Sequence, residues 1–278
     1  MKYFIVLVCC IGSFNGLAWG QKIPKKISES DFSIGKSIKI ASTVLGENRV
    51  VNVYLPLSYA NNPKQTYPVI YLLDGSKDED FIHIAGIVQF GSFSWIHFVP
   101  ESIVVGIENV DRKRDFTYPS GNALDQKEFT TAGKSANFIQ FIEKELQPLI
   151  EAKFRTQKTK TIIGQSLGGL LATEILFKNP HLFDNYVIVS PSLWWDDEKL
   201  LKYEPVQYNT NKSIYVAVGK EGETMERTAK ELFEKLNQQK KENTTLFFDF
   251  LPDKTHGDAL HEAVYKALGK IFSPQENK

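Results

Sequence analysis

The chain has 278 residues, of which 42% are apolar, and its 33 Lys and Arg balance its 33 Asp and Glu. The apolar fraction is that of an ordinary globular protein, and the length favours a single domain. The balanced charge argues against nucleic acid or an anionic membrane surface as the main partner.

The first twenty residues have the pattern of a secretory signal peptide. A short basic start, Met1-Lys2, precedes an apolar run at residues 3–11, and Ala18-Trp19-Gly20 offers small residues where a signal peptidase cleaves. The apolar run is shorter than the roughly 20 residues needed to span a bilayer, which disfavours a membrane anchor. We therefore expect cleavage before Gln21 and a mature domain at residues 21–278 that is secreted or periplasmic, without stable membrane insertion.

Both cysteines, Cys9 and Cys10, lie within that segment. The mature chain therefore has no thiol for a disulfide, a nucleophile or a thiolate metal site. A domain of about 250 residues buries roughly three quarters of the surface that its unfolded chain exposes, so its core can stabilise it without cross-links.

Past the signal peptide, the hydrophobic pattern alternates between strands and helices. Residues 37–56 predict an antiparallel hairpin around a turn at 45–48. Six short apolar runs follow, typical of strands buried on both faces: 68–73, 103–107, 161–163, 186–189, 214–218 and 246–251. Helical periodicity occurs at 138–149, 170–176, 224–239 and 260–271. This order predicts an α/β fold with a mostly parallel central sheet, helices on both faces and the hairpin at one edge.

Two long stretches, 108–133 and 190–212, have little regular pattern, and each follows a predicted strand. Parallel strands end together at one edge of a sheet, and ligands of open α/β sheets bind beyond that edge. The two stretches are therefore candidate walls of a substrate site.

A candidate nucleophile lies between a predicted strand and a predicted helix, where Gly164-Gln165-Ser166-Leu167-Gly168 matches the motif G-x-S-x-G. A serine on such a turn has a strained backbone and projects its hydroxyl over the sheet edge, and the glycines let strand and helix approach closely. The dipole of the following helix favours the anion that develops during attack. We predict that Ser166 is a nucleophile; the alternative is a turn that only packs, as in an inactive hydrolase fold.

A serine hydroxyl needs a general base at neutral pH, and in this kind of fold the chain order is serine, carboxylate, histidine. His83, His97 and His181 lie too early for that order. Of the two that remain, His256 lies in a loop after the last predicted strand, and His261 lies inside the last predicted helix. We therefore predict that His256 is the base.

The carboxylate is expected just after the strand at 214–218, where the chain offers Glu221 and Glu223. Either one can orient the histidine and stabilise its charged form, and we favour Glu221. Both can instead be solvated residues at the start of a helix, which leaves a Ser–His dyad. For the oxyanion hole, chain position predicts the backbone N–H groups of Leu167 and of Ser76, in the loop after the third strand.

With these residues placed, the chain resembles the putative-esterase family of α/β-hydrolases, in particular its esterase D-like and trilactone siderophore esterase members. The resemblance spans nearly all of the mature chain and is carried by these runs: Tyr71-Leu72-Leu73-Asp74-Gly75, Val105-Gly106-Ile107-Glu108-Asn109, Asp111-Arg112-Lys113-Arg114-Asp115, Gly164-Gln165-Ser166-Leu167-Gly168-Gly169, Ser190-Pro191-Ser192-Leu193-Trp194-Trp195 and His256-Gly257. It implies hydrolysis of a large ester by Ser166 and His256 without a metal or an organic cofactor. The siderophore-esterase members vary at the position of the carboxylate, so the resemblance leaves the acid open.

Two runs are candidates for substrate binding. Arg112 and Arg114 can hold an anionic or catecholate-bearing substrate through charge-assisted hydrogen bonds, or can belong to a solvated loop. Trp194 and Trp195 can stack on a flat aryl or sugar ring, or can pack their loop against the domain. We expect one of the two tryptophans to reach the pocket.

The sequence thus predicts a serine carboxylic-ester hydrolase that acts through an acyl-enzyme on a small-molecule or glycan ester, with siderophore-type esters as one substrate class. Three alternatives share the fold: a feruloyl or acetyl esterase acting on carbohydrate, an acyltransferase, and a non-catalytic binding module. A binding module has no need of both Ser166 and His256, which disfavours it. The sequence predicts no nucleic-acid partner and leaves the oligomeric state open.

Overall fold

The computed structural model describes residues 23–240 and 242–273. The chain divides into two units, residues 1–33 and residues 34–278, and the helices and strands of the described part belong to the second unit. The described residues of the first unit, 23–33, carry neither helix nor strand. The predicted signal peptide, residues 1–20, lies outside the described residues.

In the described part of the second unit, eight strands form one sheet in the spatial order β1-β2-β4-β3-β5-β6-β7-β8. Their bounds are β1 Lys36–Ser42, β2 Glu47–Tyr54, β3 Tyr67–Leu72, β4 Ile103–Ile107, β5 Thr156–Gln165, β6 Asn185–Val189, β7 Lys212–Gly219 and β8 Thr244–Leu251. Neighbouring strands from β4 to β8 are parallel, whereas β2 is antiparallel to both β1 and β4.

The antiparallel hairpin predicted at 37–56 consists of β1 and β2. Gly46 closes its turn by donating from its N–H to Ser42 O at 3.0 Å, with φ +67°, a conformation that glycine adopts without steric penalty. On the other side of β2, Val51 pairs with Ile107 of β4. The predicted mostly parallel sheet with an antiparallel hairpin at one edge is confirmed.

Nine α-helices are found among residues 23–240 and 242–273. They are α1 Phe81–Gly91, α2 Arg112–Phe116, α3 Ala123–Glu128, α4 Ser135–Phe141, α5 Gln147–Lys153, α6 Leu167–Lys178, α7 Trp195–Lys202, α8 Glu223–Gln238 and α9 Ala259–Phe272. Of these described helices, none is both long and apolar enough to cross a membrane.

Two hydrophobic clusters cover the two faces of the sheet. Ile162 of β5 packs in one cluster with Leu170 of α6, and the next residue, Ile163, packs in the other with Val264 of α9. Successive side chains of a strand point to opposite faces, so a strand buried on both faces is apolar throughout, as the continuous apolar runs predict. Because the strands from β4 to β8 are parallel, the loops that follow them lie together at the carboxyl edge of the sheet.

The structure differs from the sequence prediction in the two stretches expected to be irregular. Residues 108–133 contain α2 and α3, and residues 190–212 contain α7. These helices have five, six and eight residues, which is too short for the apolar repeat that identifies a helix in a sequence. In α7, the three residues at 196–198 also have positive φ, which no helical pattern predicts.

The helix predicted at 138–149 is longer in the structure and is not uniform. A π-helical turn, Ile142–Leu146, joins α4 to α5, and Gln147 N–H donates to Ile142 O. Pro148 follows this turn; it has no N–H to donate, and its ring would crowd the carbonyl four residues earlier in a regular helix. The wider turn accommodates the proline, and the helix continues to Lys153.

Candidate active site

The Ser166 turn joins the end of β5 to the start of α6. Ser166 has φ +59° and ψ −120°, a backbone conformation that residues other than glycine rarely adopt. A Cβ on Gly164 would overlap the backbone carbonyl of Gly168, so the strand and the helix approach closely enough to require glycine. Backbone strain of this kind costs about 1–3 kcal/mol and persists only where the surrounding structure fixes it.

Backbone hydrogen bonds fix the Ser166 turn on the side of β6. Ser166 N–H donates to Val189 O at 3.1 Å, and Ser192 N–H donates to Ser166 O at 3.0 Å. Ser166 is half-buried, and its Oγ lies 3.3 Å from Oγ of Ser192. The hydroxyl is therefore held at the carboxyl edge of the sheet with partial access to solvent.

His256 and Glu221 form the second part of the site. Nδ1 of His256 lies 2.5 Å from Oε2 of Glu221; the histidine side chain is 49% exposed and the glutamate side chain 2%. Glu221 lies between β7 and α8 and His256 between β8 and α9, so the ends of two neighbouring parallel strands bring them together. Because the carboxylate occupies Nδ1, Nε2 remains for proton transfer.

The Glu221 carboxylate is held by further hydrogen bonds. Its Oε1 accepts from Ser190 Oγ at 2.5 Å and from Gly219 N–H at 2.9 Å. Burial raises the pKa of the Glu221 carboxyl, but the hydrogen bonds from His256, Ser190 and Gly219 outweigh burial and hold this pKa below its ordinary value. Glu221 is therefore ionised at neutral pH and able to stabilise a charged imidazole.

A side chain next to Ser166 joins the Ser166 turn to the His256 loop. Nε2 of Gln165 donates to His256 O at 2.6 Å. Among the described residues, no hydrogen bond joins Ser166 Oγ to the His256 ring, and Ser166 Oγ faces Ser192 instead. Such catalytic hydrogen bonds are often long before substrate binds. The structure thus brings the predicted nucleophile, Ser166, and the predicted base, His256, to one edge of the sheet, without a hydrogen bond between their side chains.

The other predicted candidates for base and acid lie apart from this pair. Glu223 is the exposed first residue of α8. His261, in α9, stacks on His83 with 4.3 Å between ring centroids, and its Nε2 lies 3.3 Å from Asp80 Oδ1. In residues 23–240 and 242–273, no cluster of three His, Cys, Asp or Glu side chains is placed to hold a metal ion. The geometry therefore favours His256 as the base and Glu221 as the carboxylate.

The predicted oxyanion donors lie on two turns at the same edge of the sheet. Leu167 N–H is the first of α6, where N–H groups have no acceptor within the helix. Ser76 follows β3 through a turn in which Asp74 has φ +54°. Ser76 N–H lies 3.4 Å from Oε2 of Glu79, a long contact that a better-placed acceptor can replace.

Arg112 connects these two turns. Its Nε and Nη2 donate to Oδ1 and Oδ2 of Asp74 at 2.7 and 3.0 Å, and Nη2 also donates to Gln165 O at 3.1 Å. Nδ2 of Asn109 donates to the same Asp74 carboxylate at 2.7 Å. The loop of Asp74 and Ser76 is thereby fixed to the residue that precedes Ser166.

Arg114 lies in a different environment from Arg112. Its guanidinium donates to the Glu47 carboxylate at 2.5 and 3.0 Å and to the Asp115 carboxylate at 2.7 and 3.2 Å. Arg49, which is fully buried, pairs with the same two carboxylates. Glu47 begins β2, so this network joins α2 to the hairpin, and that structural role accounts for Arg114 without a substrate contact.

The two tryptophans differ in burial. Trp195 is 1% exposed, and its Nε1 donates to Tyr118 O at 2.9 Å, so it packs its loop against the domain. Trp194 is half-buried, with its ring centroid 6.0 Å from that of Phe129. A cavity of about 210 Å³ lies beside Trp195, lined by Asp125 and Phe129 among others. Trp194 is thus the more exposed of the two tryptophans, whereas Trp195 lines the cavity.

Three polar residues at the site were not singled out from the sequence: Gln165, Ser190 and Ser192. Gln165 lies inside the G-x-S-x-G motif, and both serines lie in the first loop residues after β6. A signal was present, because residues that directly follow a parallel strand lie at the same edge as the nucleophile. Their partners, however, depend on side-chain directions that a sequence pattern does not carry.

Comparisons with protein families and curated proteins place the chain among esterases. Residues 42–257 match the family described as Putative esterase. Ferri-bacillibactin esterase BesA of Bacillus subtilis is 28% identical over 262 residues, which cover 86% of this chain and 90% of that protein. The siderophore triacetylfusarinine C esterase of Aspergillus fumigatus is 28% identical over 218 residues, which cover 70% of this chain and 71% of that protein.

Solved structures share the architecture. An IroE-like serine hydrolase from Shewanella oneidensis matches with a TM-score of 0.75 at 30% identity, covering 86% of this chain and 80% of that chain. The BES protein from Bacillus cereus matches with a TM-score of 0.74 at 28% identity, covering 89% and 98%. The siderophore hydrolase EstA from Aspergillus nidulans, at 18% identity and a TM-score of 0.72, covers 90% and 99% and shares the fold. The predicted α/β-hydrolase fold is confirmed.

Proposed function

Because the chain belongs to the Putative esterase family and is a carboxylic ester hydrolase, we propose that it is a serine esterase with Ser166 as its nucleophile. The observation that carries this proposal is the Ser166 turn, whose strained backbone holds a half-buried hydroxyl at the sheet edge beside the His256 loop. A binding module has no need to hold a serine in this conformation at the same sheet edge as a histidine paired with a carboxylate.

In the proposed reaction, Oγ of Ser166 attacks the ester carbonyl carbon while Nε2 of His256 takes the hydroxyl proton. The oxyanion of the tetrahedral intermediate accepts hydrogen bonds from the N–H groups of Leu167 and Ser76. The bond to the alcohol oxygen then breaks, His256 gives its proton to the leaving alcohol, and the acyl group remains on Ser166. A water molecule then attacks the acyl carbon while it loses a proton to His256. As the bond between Oγ of Ser166 and the acyl carbon breaks, His256 gives this proton to Oγ, which releases the acid and restores the serine.

Glu221 acts in both halves of this reaction through its charge and its position. Its Oε2 accepts from Nδ1 of His256, which keeps Nε2 turned toward the reacting oxygen. Its negative charge stabilises the imidazolium that forms twice in each turnover. Because hydrogen bonds hold the pKa of Glu221 below its ordinary value, the carboxylate keeps this charge into mildly acidic solution.

We propose siderophore-type esters as the natural substrates. Two relatives that cover 70% or more of this chain are named esterases of ferri-bacillibactin and of the siderophore triacetylfusarinine C. The His256 side chain is 49% exposed, which makes the base accessible to a bulky ester. The test compares kcat/KM for ferri-bacillibactin and enterobactin with kcat/KM for feruloylated and acetylated xylan. Higher values for the xylan esters would reject this substrate class.

We also propose that the enzyme acts outside the cytoplasm after residues 1–20 are removed. Support comes from the basic start, the short apolar run and the small residues before Gln21. N-terminal sequencing of protein recovered from periplasmic and medium fractions tests this. A mature chain that starts at Gln21 is the expected result, and a chain that retains residues 1–20 in the cytoplasmic fraction contradicts it.

The test of the catalytic proposal is hydrolysis of p-nitrophenyl acetate and butyrate by the wild type, Ser166→Ala and His256→Ala. We expect each variant to lose several powers of ten in kcat, because the nucleophile and its base act as a unit. His261→Ala is the matched control, since this histidine pairs with Asp80 instead, and it should keep the wild-type kcat. Undiminished turnover by Ser166→Ala would reject the proposal.

A further inference from the structure

Ser190 has a backbone conformation that favours glycine. It directly follows β6 with φ +44°, and it is fully buried. A side chain in the left-handed region is strained, and a buried hydroxyl is unfavourable unless it is hydrogen-bonded. A serine at such a position therefore indicates that its hydroxyl has a specific role.

The Ser190 hydroxyl is directed at the carboxylate that faces His256. Its Oγ donates to Oε1 of Glu221 at 2.5 Å, and Gly219 N–H donates to the same oxygen at 2.9 Å. The other oxygen, Oε2, lies 2.5 Å from Nδ1 of His256. Two donors on one side of the carboxylate leave its second oxygen for the imidazole.

The backbone of Ser190 is itself anchored. Its N–H donates to Ala217 O of β7 at 2.7 Å, two residues before Gly219. Pro191 follows and packs against the start of α6, where a Cβ on Gly169 would lie 3.0 Å from Pro191 Cα and from Val189 O. Gly169, the residue that follows the G-x-S-x-G motif, thus leaves room for the segment that carries Ser190.

The same short segment contacts the nucleophile two residues later. Ser192 is 2% exposed; its N–H donates to Ser166 O at 3.0 Å, and its Oγ lies 3.3 Å from Ser166 Oγ. Residues 190–192 therefore have one end on Glu221 and the other on Ser166.

From these contacts we propose that Ser190 is a positioning residue, which holds the Glu221 carboxylate toward His256 and ties it to the Ser166 turn. This inference rests on the proposed Ser–His–Glu reaction. Without the Ser190 hydroxyl, Oε1 of Glu221 keeps one donor, from Gly219, and the carboxylate is free to turn away from the imidazole. Because Ser190 is fully buried, we expect its loss to slow the chemical step and to leave substrate binding unchanged.

The experiment uses Ser190→Ala and Ser190→Gly in the full mature protein, with kcat, KM and Tm measured for each. Glycine is the decisive variant, because it relieves the strain at φ +44° and lacks the hydroxyl. We expect Ser190→Gly to keep or raise Tm and to leave KM little changed. We expect kcat to fall about 10- to 100-fold, because the variant loses a hydrogen bond to a charged group. Ser102→Ala is the matched control, since this buried serine donates to Pro100 O before β4.

The second measurement is made in a Glu221→Ala background. If Ser190 acts through Glu221, Ser190→Gly has no further effect on kcat there, whereas a purely structural role gives the same loss in both backgrounds. Full kcat in Ser190→Gly, or equal losses in the two backgrounds, overturns the inference. An active Ser166→Ala variant overturns the proposed function instead, so the two failures are distinguishable.

Discussion

Replacing Glu221 by glutamine tests whether its charge contributes to turnover. The substitution keeps the shape of the side chain, and Gly219 N–H can still donate to its amide oxygen. It removes the negative charge that lies 2.5 Å from Nδ1 of His256. The imidazolium formed during the reaction therefore loses its partner, while the folded structure keeps nearly the same packing.

The magnitude follows from the exposure of the two side chains. A serine-protease triad with a buried carboxylate loses roughly 10⁴-fold in kcat when that carboxylate becomes an amide. Here the Glu221 side chain is 2% exposed but the His256 side chain is 49% exposed, so water screens part of the interaction. We expect a loss of about 2–4 kcal/mol in transition-state stabilisation, or about 30- to 1000-fold in kcat.

The assay is p-nitrophenyl butyrate hydrolysis at neutral pH, with thermal unfolding as the check on folding. Glu223→Gln is the matched control, because Glu223 is an exposed glutamate at the start of α8 only two residues away. We expect it to keep the wild-type kcat. A Glu221→Gln variant with wild-type kcat, or an equal loss in both variants, would refute the assignment of Glu221 and leave a Ser–His dyad.

Arg112→Gln breaks the paired hydrogen bonds to Asp74 that fix the Ser76 loop to the Ser166 turn. We therefore expect kcat to fall about tenfold for neutral and anionic esters alike. A loss confined to anionic esters in paired assays would instead indicate that Arg112 binds substrate. Gly164→Ala places a Cβ on the Gly168 carbonyl and should lower the free energy of unfolding by more than about 2 kcal/mol in urea titrations. Gly269→Ala, which has open space around its Cβ position in α9, should raise the free energy of unfolding by about 0.5–1 kcal/mol. The reverse order of stability would contradict the packing argument. Glu47→Gln removes a carboxylate whose pKa is lowered by the hydrogen bond from Arg114, and also by Arg49, although burial raises it. Above the ordinary pKa of 4.5, the wild type should therefore be more stable than the variant by about 1–3 kcal/mol, and this difference should shrink as the pH falls below 4.5. A difference that stays constant in urea titrations down to pH 3 would contradict the ion-pair role.

Much of the fold was readable from the sequence because its strands are buried on both faces. Ile162 and Ile163 lie on opposite sides of β5 and both are buried, so the run is apolar without a break. The short helices α2 and α3 escaped prediction because one turn or two cannot show a repeat. The π-helical turn before Pro148 escaped for another reason, since a proline normally signals the end of a helix.

At the site, the sequence predicted the positions that chain order determines and left open those that side-chain direction determines. Ser166 and His256 could be singled out because strand, turn and helix succeed one another around them. Glu221 and Glu223 are two residues apart on one loop, and only the structure distinguishes the one that faces His256. Arg114 could not be predicted, because its partner Glu47 lies 67 residues away along the chain.

The role of Ser166 as the nucleophile is tested by treating the folded mature protein with a fluorophosphonate probe and locating the adduct by peptide mass spectrometry. We expect one adduct per chain, on Ser166, with parallel loss of ester hydrolysis and no adduct in Ser166→Ala. A wild-type protein that hydrolyses esters but takes up no probe, or an adduct on another residue that abolishes hydrolysis, would contradict the assignment of Ser166 as the nucleophile.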